Sequence, residues 1–167
     1  PPEVLAPPFA YAERVLDGAN QLMDERDAGL RSPFRDEEIL LIRDASFFLL
    51  GILSGMRCDE LVGVEVGAGR TEVKDGFDFH WVKSIEHKTK KGSVEYLVSS
   101  MALRVVRVMQ RWSQPYRDRL GAEMTILMAD DEKALNASKV KRLHALKANR
   151  NRVFMGALDS TAVSGRS

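Results

Sequence analysis

Apolar residues recur along this chain at two spacings, and the change from one to the other marks its elements. Between Tyr11 and Leu30, Val15, Leu16, Ala19, Leu22 and Met23 fall three or four apart, which predicts an amphipathic helix closed by Gly29 and the Arg31-Ser32-Pro33 stretch. A second helix is predicted to start at Asp36, Glu37 and Glu38, acids that suit the positive end of a helix dipole. From Ile39 to Leu53 it is apolar nearly all round, so it should be covered on most sides and form the centre of the molecule. Ser54-Gly55 stops it, and Met56 to Leu61 reads as the first turn of a short third helix. Val64 to Val66 suggests a short strand.

The period then changes to two. Phe77, Phe79, Trp81 and Ile85 alternate with Asp78, His80, Ser84 and Glu86, as in a half-buried strand. A polar tip from Lys88 to Ser93 separates this run from Val94, Tyr96 and Val98, so the pair predicts a β-hairpin with lysines at its turn. Ser99-Ser100 can cap a further helix, with Met101, Val105, Val108, Met109 and Trp112 as its apolar stripe and Arg104, Arg107 and Arg111 on its other side. Pro115 should end or bend that helix. Ala122 to Lys147 is predicted helical, open to interruption at Asp130-Asp131 and Asn136, and residues from about 155 to 167 read as a flexible linker. The fold class is therefore α+β: mainly helical, with a small antiparallel sheet or hairpin, in a single domain over 1–167. The start at Pro1-Pro2 and the end at Ser167, with no helix stop, read as an excerpt of a longer chain whose remainder follows the linker.

Length and composition narrow the class. The 167 residues suit one domain, and 44% hydrophobic with 29% charged residues is an ordinary globular balance. A single cysteine, Cys58, rules out an internal disulfide and any multi-cysteine metal site; three histidines argue further against a metal, and no cofactor is implied. The longest apolar run, Ala45 to Met56, is too short to cross a bilayer. The net charge of +1 conceals an asymmetry: residues 1–70 hold 7 basic and 13 acidic side chains, residues 71–167 hold 18 and 11. The second part is thus the natural face for a polyanion, and Lys133 to Arg152 carries seven cations without one acid.

Two basic residues have positions that suit phosphate chemistry. Arg57 follows the apolar helix, which anchors its backbone while its guanidinium can reach out and grip two phosphate oxygens. Lys88 sits where a two-stranded ribbon can project an ammonium. The bland readings are that Arg57 pairs with Asp59 or Glu60, that Lys88 to Lys91 form a solvated turn, and that Arg104, Arg107 and Arg111 form a solvent face. Cys58 is expected to be a small buried residue, and Trp81, Trp112 and the seven methionines to fill the core.

The stretch from Phe47 to Leu61, with Ser54-Gly55-Met56-Arg57 and then Glu60-Leu61, resembles the first conserved box of the tyrosine recombinase, or phage integrase, family. The run Ile85 to Gly92 with Lys88-Thr89, followed by Val94 to Val98, is similar to that family's Lys-Thr hairpin. Order and spacing agree over about residues 10 to 120. The resemblance implies the N-terminal part of a recombinase catalytic domain. In the intact protein Arg57 would hold the scissile phosphate and stabilise its transition-state charge. Lys88 would protonate the leaving 5′-oxygen, with Lys90 and Lys91 as competitors for that role or as DNA-backbone contacts. Glu60 would support the site, and Arg104 and Arg107 would add DNA contacts. The implied partners are double-stranded DNA and other recombinase protomers, in a cytoplasmic, nucleoid-associated protein with no membrane contact. The family's His-x-x-Arg segment does not occur in residues 1–167, and Tyr11, Tyr96 and Tyr116 all precede the place for it, so this chain alone is expected to be inactive. The alternative is a non-catalytic DNA-binding or interaction module on the same scaffold.

Overall fold

The computed structural model describes residues 2–86, 92–129 and 136–155. In chain order they form α1 (Pro2–Asp27), α2 (Glu37–Ser54), α3 (Cys58–Val62), β1 (Gly69–Lys74), β2 (Phe77–Glu86), β3 (Gly92–Val98), α4 (Ser100–Trp112), α5 (Gln114–Ala129) and α6 (Ala137–Asn149). The α+β reading holds: helices dominate, beside one three-stranded antiparallel sheet in the order β1-β2-β3.

Each helix boundary follows from local chemistry. The chain leaves α1 through paired bonds, Gly29 N–H to Arg26 O and Leu30 N–H to Glu25 O, a Schellman closure at the place the sequence indicates. The start of α1 lies nine residues earlier than the periodicity predicts and takes in Pro7 and Pro8. Asp36 caps α2, its carboxylate accepting from Glu38 N–H and Ile39 N–H at 3.0 and 3.2 Å. Ser99 caps α4 by accepting from Ala102 N–H at 3.2 Å. Helix α4 ends at Trp112, and Pro115 falls in the first turn of α5, where a missing N–H costs no helical bond.

The core lies between α1, α2 and α4. Ala12, Leu16, Ala19 and Met23 of α1 meet Ile39, Ile42, Leu49 and Leu50 of α2 and Val105, Val108, Met109 and Trp112 of α4, all buried. Trp112 donates from its indole to Ile39 O at 2.7 Å and stacks on Tyr116 at 4.7 Å between ring centres. The Tyr116 hydroxyl donates to Pro33 O at 2.8 Å. Arg26, buried, donates to the Trp112 and Arg111 carbonyls, placing a cation at the negative end of α4.

The sheet departs from the sequence reading in two ways. It has a third strand, β1, whose residues are nearly all exposed and therefore show no alternation; it joins β2 through a two-residue turn at Asp75 and Gly76, both at positive φ, as a type I′ hairpin requires. Secondly, the side of β2 turned to the core is not the aromatic one. Val82 and Ser84 are buried there, whereas Phe77 and Phe79 are exposed and Trp81 and Ile85 half-buried on the opposite face. Close approach explains this: a side-chain carbon on Gly69, which pairs with Val82, would stand 2.4 Å from Leu103, so the inner face has no room for rings. Trp81 is accordingly not core filling, although Trp112 is.

Val64 to Val66 is no strand but makes a single antiparallel bridge, Glu65 with Arg152. Residues 151–155 come back across the molecule to make it. Val153, Phe154 and Met155 are buried, with Phe154 edge-on to Phe47, so the expected linker does not begin at 155; 156–167 lie outside the described residues. No helix among the described residues is long and apolar enough to cross a membrane.

Candidate functional site around Arg57

Helix α2 delivers the chain to the site through a fixed turn. Gly55 takes φ +66°, a left-handed conformation that a side chain would strain, and its N–H bonds Gly51 O at 3.1 Å. The Ser54 hydroxyl donates back to Leu50 O and accepts from Met56 N–H, and Met56 is buried as an apolar anchor. Arg57 follows in extended backbone as the N-cap of α3.

Arg57 has no side-chain acceptor with which to cap α3, so Glu60 does that work from the other end. Its buried carboxylate accepts from Arg57 N–H at 2.7 Å, and the Arg57 guanidinium stands 3.7 Å from it as a looser ion pair. The Arg57 side chain itself is 56% exposed. The carbonyl of Glu60 accepts from the Ser84 hydroxyl on β2, which ties the arginine's helix to the strand leading toward the lysine-rich connection. An open cleft of about 200 Å³ lies beside this tie, between residues 63–68 and Lys83 to Ile85.

The C-terminal segment holds α3 from behind. Val66 N–H donates to Asn151 O at 2.8 Å and Val153 N–H to Val64 O at 3.1 Å. Arg152, nearly buried, donates to Val62 O at 3.1 Å, at the C-terminal end of α3, and lies 3.9 Å from Glu65. Ser84 and Arg152 are the residues that sequence reasoning misses. Ser84 could have been found as the small polar residue among the alternating positions of β2, whereas nothing local distinguishes Arg152 within its basic run.

The other predicted residues fall as follows. Lys88, Lys90 and Lys91 lie outside the described residues. Arg104 is bonded to Asp17 of α1 at 2.8 Å, and Arg111 to Asp24 and Asp27 at 2.6 and 2.8 Å; Arg107, on the same helix, is exposed. Burial works to raise the Asp27 carboxyl, but the hydrogen bonds from Arg111 and Arg26 outweigh it and hold the group below the usual range. Cys58 is exposed, not buried: α3 turns only Glu60 and Leu61 inward. Among the described residues no cluster of His, Cys, Asp and Glu could hold a metal ion. Tyr116 is sealed in the core, where burial pushes its phenol up to about 12, so it is not a nucleophile.

No protein-family model, no curated protein and no solved structure matches the chain.

Proposed function

We propose that this chain supplies part of the catalytic domain of a tyrosine-type DNA recombinase or integrase, with Arg57 as a phosphate-binding arginine. The observation that carries the reading is the Arg57–Glu60 junction: one buried carboxylate holds the Arg57 backbone and pairs loosely with its guanidinium, fixing a cation on a side chain that is 56% exposed. That arrangement holds the charge in place at a position an incoming phosphate can reach. Its preorganised charge would meet the negative charge that grows on a phosphate under attack, where such groups contribute most.

In the intact protein a tyrosine hydroxyl would attack the scissile phosphorus, forming a 3′-phosphotyrosyl bond and breaking the bond to the 5′-oxygen. Lys88 would deliver a proton to that oxygen, and a partner strand's 5′-hydroxyl would reverse the step, so no external energy source is needed. Of the tyrosines present, Tyr116 is excluded by burial. The alternative reading is a module of the same scaffold that binds duplex DNA without cleaving it.

One experiment separates the two. On a nicked duplex that traps the covalent complex, Arg57→Ala in the intact protein should lower complex formation by about 10²- to 10³-fold while leaving duplex binding largely in place. Lys88→Ala should slow cleavage, with recovery when sulfur, which needs no proton to leave, replaces the 5′-oxygen. Covalent complex that is unchanged by Arg57→Ala would remove Arg57 from the reaction; duplex binding with no covalent complex in the unaltered protein would select the module.

A further inference from the structure

The face of the sheet turned away from the helices carries chemistry that the Arg57 site does not use. Phe77, Phe79 and Trp81 occupy successive outward positions of β2; Phe77 is 69% and Phe79 37% exposed. Side chains two residues apart on a strand are about 6.6 Å apart along it, so the three rings form a ladder of separate platforms. The register sets Lys74, Glu72 and Arg70 of β1 beside them in turn.

The Arg70 guanidinium lies over Trp81, 5.3 Å from its ring centre. It also binds Glu95 through two bonds of 3.0 and 3.1 Å and Glu72 at 3.1 Å, so one cation is shared between the two acids of this face. Lys74 and Lys83 are exposed toward its two ends; Lys83 stands opposite Glu95 in the register, and its charge adds to the hydrogen bonds and charge of Arg70 in holding the Glu95 carboxyl below its usual range. The face therefore pairs two exposed phenylalanine rings with a net positive charge, Arg70, Lys74 and Lys83 against Glu72 and Glu95.

We propose that this face binds single-stranded nucleic acid, its bases stacking on Phe77, on Phe79 and on the Arg70 guanidinium that lies over Trp81, and its phosphates meeting Lys74 and Lys83. Ring faces attract bases of any identity, and a lysine at each end of the ladder complements the backbone that runs along it. A duplex is the poorer ligand because its bases are already stacked on one another. The assignment is independent of the role given to Arg57.

Tryptophan emission provides the test. Trp112 is fully buried and supplies a constant background, so quenching by an oligothymidylate of about a dozen nucleotides reports on Trp81. The expected result is saturable quenching, weakened roughly five-fold or more by Phe77→Ala and by Phe79→Ala. Circular dichroism checks that each variant folds; Phe77, the more exposed ring, supplies a readout even if Phe79→Ala does not. The proposal is overturned if no quenching occurs, if a duplex of equal length quenches as strongly, or if both substitutions leave the affinity unchanged. It is also overturned if sedimentation shows the chain self-associating through these phenylalanines, which would assign the face to a second copy.

Discussion

Glu60 is the residue on which the candidate site turns, because it is buried and its charge engages both the N–H and the guanidinium of Arg57. Glu60→Ala leaves the Arg57 N–H without its acceptor and should cost about 1–3 kcal/mol, read as a lower midpoint in chemical denaturation. Glu60→Gln keeps an oxygen for the same bond and should stay close to the unaltered protein. If glutamine proves as damaging as alanine, the carboxylate charge on the guanidinium, not the hydrogen bond, is what holds the junction. This part of the molecule is legible in the sequence because Asp36, Gly55 and Glu60 each do what their side chains locally favour: cap, reverse and accept. Cys58 was not legible, since five helical residues are too few to show which side faces in.

At the scale of elements, long helices announce themselves and contacts between distant segments do not. The apolar stripes of α2 and α4 and their caps follow from spacing alone, whereas β1 is too exposed to alternate and the inner face of β2 is set by how closely Leu103 approaches Gly69. Residues 151–155 are the clearest instance. Their hold on α3 depends on partners some 90 positions away, and no local pattern encodes it. Arg152→Ala removes a charged hydrogen bond to Val62 O, worth about 1.5–3 kcal/mol. Amide exchange over residues 58–66 should then accelerate more than exchange in α1 or α4. Equal acceleration everywhere would mean that the segment supports the whole core through Phe154 and does not specifically brace the Arg57 helix.

For the molecule as a whole, part of the charge asymmetry of the sequence is settled internally. The acids of the first part include Asp17, Asp24 and Asp27 on α1, and these are the partners of Arg104 and Arg111 on α4. A basic stripe that looks available to a polyanion is thus partly occupied, with Arg107 exposed between the two paired arginines. The proposed duplex binding makes this measurable. Each cation that meets a phosphate steepens the fall of log affinity against log salt by about 0.9. Arg107→Ala should therefore flatten that slope, whereas Arg104→Ala should change it little while Asp17 holds the guanidinium. Asp17→Asn releases Arg104 and should steepen the slope by up to about 1, with tighter binding at low salt. The surface pair it breaks contributes about 0–1 kcal/mol, so the fold survives and the comparison is fair. A slope that Asp17→Asn leaves unchanged would mean that α4 faces away from the nucleic acid, and that contact with it falls to other basic elements of the chain.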